Sequence, residues 1–217
     1  MEKNSILIFR IAIGEKMNIN VIIFSIFVLF LIVFCVWIVF PLFLEQPEYK
    51  VLKSEDKFQI RFYEEFTIAK VKTSGNQNDA LKKGFVPLAR YIGAKNRYGE
   101  KIKMTVPVMQ TKIQSGTDWH VFFSMPSKYS VDSLPKPKNS VIQFEKIPPR
   151  YVAVIRFNGV ASEAILESKQ NILIEWINKM NFQITGDSFY LFYNDPITPG
   201  FFRKNEVAII VSGFKPG

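Results

Sequence analysis

A long uncharged segment near the N-terminus limits what this chain can fold into. Residues 17–44 carry no charged side chain, and residues 21–40 are apolar except for Ser25. Since a membrane-crossing helix needs about 20 apolar residues, we predict one transmembrane helix over residues 19–44. A cleaved signal peptide would have a shorter apolar region, about 7–15 residues, and a small-residue cleavage site. The exit sequence FPLFLEQPE offers no such site, so we expect an uncleaved anchor.

The charges before this segment predict which side of a membrane the rest of the chain occupies. Lys3, Arg10 and Lys16 lie in the N-terminal flank, residues 1–18. Because positive residues favour the cytoplasmic side, we expect the N-terminus inside and the globular domain on the non-cytoplasmic side. A start at Met17 would remove all three basic residues, and the membrane side therefore stays open.

Composition predicts a folded domain after the anchor and excludes some kinds of site. Hydrophobic residues make up 48% of the chain and 21 residues are phenylalanine, enough for a full core. The formal net charge of +9 is scattered and carries no nucleic-acid motif. We therefore expect a membrane surface as partner and no nucleic acid, although solubility alone also explains the charge. Cys35, the only cysteine, lies in the apolar segment, which excludes a disulfide framework.

After the anchor, a strand–helix–strand–strand pattern occurs twice within the domain, residues 47–213. Each copy has a strand ending at glycine, FTIAKVKTSG or YVAVIRFNG, then an amphipathic helix and two strands. This repetition indicates an internal duplication, although any α+β domain shows some similarity of this kind. Two such halves packed sheet to sheet would leave a cleft, a common place for a ligand. The predicted strands are residues 49–52, 58–63, 67–73, 101–110, 119–125, 141–146, 150–157, 188–193 and 205–211.

The two predicted helices follow from the spacing of apolar residues. The first is capped by Asn78 or Asp79 and ends near Ile92, and Pro87 inside it predicts a kink or a break. The second runs from about Ser162 to Met180.

We expect the stretch KIKMTVPVMQ, residues 101–110, to be a strand about which the two halves are arranged. Apolar residues alternate there, with Ile102, Met104, Val106 and Val108 on one face. Pro107 has no N–H for a ladder and therefore predicts an edge or a bulge. Such a strand lines a pocket or is an ordinary core strand with a bulge.

The sequence offers little for an enzyme, and we expect no catalytic residues. It contains no GxSxG elbow, P-loop, dinucleotide fingerprint or HExxH motif. His120 is the only histidine, which excludes Cys/His metal sites by count. Acid–base catalysis by Glu64 and Glu65 stays an alternative, although adjacent glutamates on a strand would point to opposite faces.

Several stretches occur in the order and spacing of a known family. They are FQIRFYEEFTIAKV (58–71), GFVPLARYIGAKN (84–96), KIKMTVPV (101–108), VFFSMP (121–126), LPKPKNSVIQFEKIPPRYVAVIRFNG (134–159), YNDPITP (193–199) and RKNEVAIIV (203–211). In these stretches the chain resembles the SOUL family, also called the haem-binding protein family. The resemblance implies an α+β fold, a distorted β-barrel of two pseudo-repeated halves, that binds haem or another tetrapyrrole.

The resemblance also implies a site beside the first helix of the domain, with basic side chains near the propionates. The residues carried over are Lys82, Phe85, Ala89 and Arg90 on the helix, Met104 as a possible soft ligand, and Arg203 after the loop. The plainer interpretation places Phe85 in the core and leaves both helix cations in solvent. Some members have a histidine ligand after the strand arginine, but here Phe62 follows Arg61, so His120 is the remaining, weak metal-ligand candidate.

Four polar residues lie in the best-matching stretches: Arg61, Glu64, Asn205 and Glu206. We expect an arginine and a glutamate among them to form a structural ion pair. The leading hypothesis is a membrane-anchored protein that binds haem or a related tetrapyrrole. The alternatives are a module for another amphipathic small molecule, an interaction protein without ligand, and an enzyme acting on a tetrapyrrole.

Overall fold

The computed structural model describes residues 18–95, 97–113, 117–138 and 141–213. It divides into two compact units, one ending at Phe40 and one beginning at Pro41. The basic residues Lys3, Arg10 and Lys16, on which the predicted orientation rests, lie outside the described residues.

The first unit is the apolar helix α1, Ile19–Val39. The Asn18 side chain caps it by accepting a hydrogen bond from the Asn20 N–H at 3.1 Å. Its 21 residues span about 31 Å at 1.5 Å per residue, which matches a bilayer core of about 30 Å. The helix is thus long and apolar enough to cross a membrane, and a signal sequence near an N-terminus has the same length and composition. A short 3₁₀ helix, Phe40–Phe43, follows it.

The second unit is an α+β fold with a nine-stranded antiparallel sheet and two helices. The sheet order is β1-β2-β7-β9-β8-β4-β5-β3-β6, and its ends do not meet. The expected distorted β-barrel is therefore not confirmed, because the sheet is open and β1 and β6 remain edge strands. The elements are β1 Tyr49–Glu55, β2 Phe58–Tyr63, β3 Phe66–Ser74, α2 Gln77–Ile92, β4 Val108–Lys112, β5 Asp118–Ser124, β6 Gln143–Ile147, β7 Arg150–Asn158, α3 Glu163–Lys179, β8 Gln183–Phe192 and β9 Lys204–Ser212.

The strand order has the symmetry that an internal duplication predicts. Three strands of the first half, β3, β5 and β4, are neighbours, and so are β7, β9 and β8 of the second half. The halves join where β4 pairs with β8. The strand before each half lies in the other half's sheet, because β2 pairs with β7 and β6 pairs with β3.

The two helices cover one face of the sheet, and the other face builds a core of its own. Helix α2 packs on β3 and β5, whereas α3 packs on β7, β8 and β9. The opposite face holds a separate apolar cluster that includes Ile68, Met109, Phe122, Val152 and Leu191. We call these the helix side and the inner side of the sheet.

Helix α2 begins two or three residues earlier than predicted and is not broken. Asn76 caps it by accepting a hydrogen bond from the Asp79 N–H at 2.9 Å. The helix continues through Pro87 to Ile92. Its close approach to β5 depends on Gly84, since a Cβ there would lie 2.5 Å from the Cβ of Val121.

The predicted strand over residues 101–110 is wrong for most of its length. Regular pairing begins only at Val108, and before it Thr105 makes a single parallel bridge with Glu45. Pro107 cannot donate to a ladder, and the Thr105 hydroxyl bonds the Ser124 carbonyl at 2.6 Å. Consequently Thr105 and Pro107 are buried as well as Ile102 and Val106, and the simple alternation does not hold.

Candidate functional site

The outer face of α2 brings together the four helix residues carried over from the family resemblance. Lys82, Phe85, Ala89 and Arg90 follow helical spacing, and Val86 lies among them. Phe85 and Val86 are 37% and 46% exposed, and both cations are exposed. The Phe85 ring is therefore at the surface rather than in the core, although its centroid lies 5.4 Å from that of Phe123.

A row of apolar residues on the helix side extends from α2 across the middle of the sheet. Phe123 pairs with Val108, and Val108 pairs with Phe192. Directly paired residues of antiparallel strands point to the same face, so the three side chains form one strip. Met104 also packs against the α2 cluster, partly buried. We call the α2 face and this strip together the helix-side surface.

The loop after β8 begins directly beyond Phe192 and carries exposed apolar side chains. Ile197 is 81% and Phe201 71% exposed. Arg203 stabilises this loop, since its guanidinium donates to the Thr198 carbonyl at 2.7 Å and to the Pro196 carbonyl at 2.6 Å. The Arg203 guanidinium is thus bonded to backbone carbonyls of the loop and holds the loop together.

His120 lies on the other face of the sheet. Its side chain is on the same side of β5 as that of Phe122, opposite those of Val121 and Phe123. It pairs with Thr111 on β4 and with Lys72 on β3. Partial burial and the charges of Lys70 and Lys72 lower its pKa below the ordinary value. Within the described residues no cluster of three or more His, Cys, Asp or Glu side chains offers a metal site.

The inner side of the sheet contains an apolar cleft where the two halves meet. The enclosed, water-sized part of the cleft is about 30 Å³. Its floor is buried and its mouth is half-buried, with Phe66, Arg150, Phe189 and Ile210 at the mouth. The floor and remaining wall are Pro47, Tyr63, Pro107, Met109, Val152, Leu191 and Ala208.

A buried ion pair lies on the same inner side. The Arg61 Nη1 and Nη2 atoms each donate to one carboxylate oxygen of Glu206, both at 2.8 Å. The two side chains are only 1% and 0% exposed. Tyr193 donates to Glu206 at 2.7 Å, and the Arg61 Nε donates to the Gln59 side chain at 2.8 Å. The expected structural ion pair is therefore confirmed, as Arg61 with Glu206.

The pKa values of this cluster show that the pair stays ionised. Burial alone would raise the pKa of Glu206, but the hydrogen bonds and charge of Arg61, with Lys204 and Tyr193, lower it overall. Burial likewise opposes the charge of Arg61, yet Glu206 raises its pKa above the usual value. Burial also raises the pKa of Tyr63 to about 12, so this hydroxyl keeps its proton.

The other two polar residues noted in the sequence have ordinary roles. Asn205 donates to the Gly159 carbonyl at 2.9 Å and so ties β9 to the turn after β7. Glu64 makes an exposed ion pair with Lys50 at 3.5 Å.

Sequence reasoning missed Arg150 in the inner cleft and the contact that positions α2. Gln77, at the helix start, donates to the Gln110 side chain at 2.7 Å, and Gln110 returns a bond to the Gln77 carbonyl at 2.9 Å. No spacing rule connects these two residues. For Arg150 a signal existed, since it alternates with Val152 and Val154 and therefore faces the same side of β7.

Comparison with known proteins adds the following similarities. The sequence model of the family described as SOUL heme-binding protein matches residues 44–210. Heme-binding protein 1 of Xenopus laevis is 29% identical over 179 residues, covering 76% of this chain and 92% of that protein.

Two solved structures share the fold at low sequence identity. The C-terminal domain of EcmrR has a TM-score of 0.55 and 11% identity, over 76% of this chain and 99% of that one. A hydrolase from Listeria innocua has a TM-score of 0.51 and 14% identity, over 74% of this chain and 94% of that one. Because both identities are so low, the two likenesses concern the fold alone.

Proposed function

Because this chain belongs to the SOUL heme-binding protein family, we propose that its domain binds haem or a related tetrapyrrole on the helix-side surface. The observation that carries the proposal is an exposed aromatic ring between two cations without partners. Phe85 lies on α2 between Lys82 and Arg90, and neither cation has an ion pair or side-chain hydrogen bond among the described residues.

The spacing of these residues suits a flat ligand with two carboxylates. Lys82 and Arg90 are separated by about 12 Å along the helix axis at 1.5 Å per residue. The ring of the ligand would cover Phe85, Ala89 and the partly exposed members of the strip, Val108 and Phe192, whereas Phe123 is buried beneath. Each 100 Å² of apolar surface removed from water contributes about 2.5 kcal/mol, so burial of the ring supplies most of the affinity.

The residues present fit ring and propionate binding better than strong iron ligation. Of the carried-over residues Met104 is the one with a soft donor atom, and it is partly buried against the α2 cluster. His120 faces the opposite side of the sheet. When bound, the iron of a haem supplies redox and ligand-binding chemistry, whereas the residues of this chain hold the ring and its carboxylates. Arg203 contributes by ordering the loop beside the strip.

We further propose that α1 anchors the domain to a membrane and that the protein acts by binding rather than catalysis. The length and apolar composition of α1 support the anchor. The family description, as a heme-binding protein, supports a binding role. The hydrolase from Listeria innocua shares only the fold, and its activity does not carry over.

A hemin titration tests the proposed site. The full-length chain in lipid nanodiscs is titrated with hemin, the Soret band is followed, and the uptake of empty nanodiscs is subtracted. We expect saturable one-to-one binding. The double variant Lys82→Gln/Arg90→Gln should raise the Kd about five- to thirtyfold, as two partly exposed ion pairs predict.

A matched control is available on the equivalent helix of the second half. The double variant Lys169→Gln/Lys179→Gln removes the same charge from α3 and should leave the Kd unchanged. His120→Ala should also leave it unchanged. Linear uptake without saturation would contradict haem as the ligand, and equal loss in both double variants would contradict the site.

A further inference from the structure

The inner cleft is chemically different from the helix-side surface. Its floor is made of buried apolar side chains, among them Met109, Val152 and Leu191. Met109 neighbours Val108 on β4, and adjacent strand residues point to opposite faces. The cleft is therefore separated from the helix-side surface by the thickness of the sheet.

Among the described residues, Arg150 is the one cation that lines this cleft. Its guanidinium lies over the Phe189 ring, 5.3 Å from the centroid. It has no ion pair or side-chain hydrogen bond among the described residues. Burial lowers the pKa of Arg150, while Tyr63 and Glu145 raise it, and an arginine with an ordinary pKa above about 12 stays protonated in proteins.

The carboxylate that raises the pKa of Arg150, Glu145, already has a partner. Glu145 forms an ion pair with Lys70 on the neighbouring strand. Arg150 therefore differs from Arg61, whose charge is matched by a bidentate carboxylate. A half-buried cation without a partner costs free energy, and a carboxylate brought by a ligand would offset that cost.

From this combination we propose that the inner cleft binds an amphipathic monocarboxylate, with its carboxylate on Arg150 and its apolar tail over Met109 and Leu191. The charge at the mouth selects an anion over neutral or cationic molecules of the same shape. The tail must be slender, since about 30 Å³ of enclosed space holds no more than one or two waters and has to widen for a ring. This site is independent of the proposed tetrapyrrole surface.

Hexanoate and its neutral amide, hexanamide, test the proposal as a matched pair with a slender tail. The full-length chain in nanodiscs is titrated with each by calorimetry, with empty nanodiscs as the blank. We expect hexanoate to bind at least tenfold more tightly than the amide. Arg150→Gln should abolish that preference, and Arg150→Lys should keep part of it.

Methyl NMR of ¹³C-labelled methionine locates the ligand independently of any variant. Met109 lines the cleft and Met104 lies on the helix side. Hexanoate should shift the Met109 methyl resonance and leave that of Met104 in place. Equal binding of acid and amide by the unmodified protein, or a shift of Met104 alone, would overturn the proposal.

Discussion

At the scale of single residues, the inner side of the sheet contains two arginines with opposite environments. Arg61 is fully buried and bonded to Glu206, Tyr63 and Gln59. Arg150 is half-buried, lies over the Phe189 ring, and has no ion pair or side-chain hydrogen bond among the described residues. The difference arises from what faces each residue across the sheet, so the amino acid type alone does not decide between a structural and a ligand-binding role.

Removal of one partner of the buried pair should be strongly destabilising. Glu206→Ala leaves the Arg61 charge without a carboxylate in a water-excluded position, and we expect the free energy of unfolding to fall by about 3–5 kcal/mol. Chemical denaturation measures it. The control is Asp118→Asn, which breaks the more exposed pair with Lys72 and should cost less than about 1 kcal/mol. Similar losses in both variants would contradict the distinction.

The pKa of His120 can be measured by NMR without overlap from other histidines, because it is the only histidine in the sequence. Burial and two nearby lysines lower its pKa, so its NMR titration midpoint should lie below 6.5. The unfolded chain then binds more protons than the folded one between the two values. Stability is therefore fully present above pH 6.5 and decreases as the pH falls through that value.

The variant Lys72→Gln should raise the His120 midpoint, since it removes one of the lysines. A midpoint at or above 6.5 in the unmodified protein would contradict the environment described for His120.

At the scale of elements, one glycine decides how closely α2 approaches the sheet. Gly84 faces Val121, and any Cβ at this position would overlap the valine side chain. This contact, with the Gln77–Gln110 pair at the helix start, sets the position of the surface proposed to bind the tetrapyrrole.

The variant Gly84→Ala should therefore destabilise the protein although alanine is the better helix former. Overpacking costs about 1–3 kcal/mol and helix propensity returns up to about 1 kcal/mol. We expect a net fall of about 1–2 kcal/mol in the free energy of unfolding. Val86→Ala, on the exposed face of α2, should change it by no more than about 0.5 kcal/mol. A stabilised Gly84→Ala variant would show that the helix moves away without cost.

The elements also show how far the sequence predicts this fold. Periodicity identified α3 and most strands nearly to their ends, because their apolar residues repeat with one period. It failed at residues 101–107, where side chains on both faces are buried and the backbone bonds irregularly. The Arg61–Glu206 pair was predictable from its matching stretches. That the sheet stays open between β1 and β6 was not predictable, because strand order depends on long-range pairing.

At the scale of the whole molecule, the sheet separates two proposed sites. We expect iron-free protoporphyrin to shift the Met104 methyl resonance, and hexanoate to shift that of Met109. Because the two proposed sites are on opposite faces of the sheet, saturation with one ligand should leave the Kd of the other unchanged. The control is Arg150→Gln, which should still bind the porphyrin. Competition between the two ligands would contradict the arrangement.

Strands β2 and β6 each pair with a strand of the other half, and this arrangement has a consequence for biosynthesis. When a ribosome has made the chain as far as β6, the first half is complete in sequence but β2 still lacks β7, its neighbour in the finished sheet. Because β1 can already pair with β2, the nascent protein exposes only the other edge of β2 until residues 150–158 emerge from the exit tunnel. Until then chaperones, or a second nascent chain offering its own β7, compete for that strand.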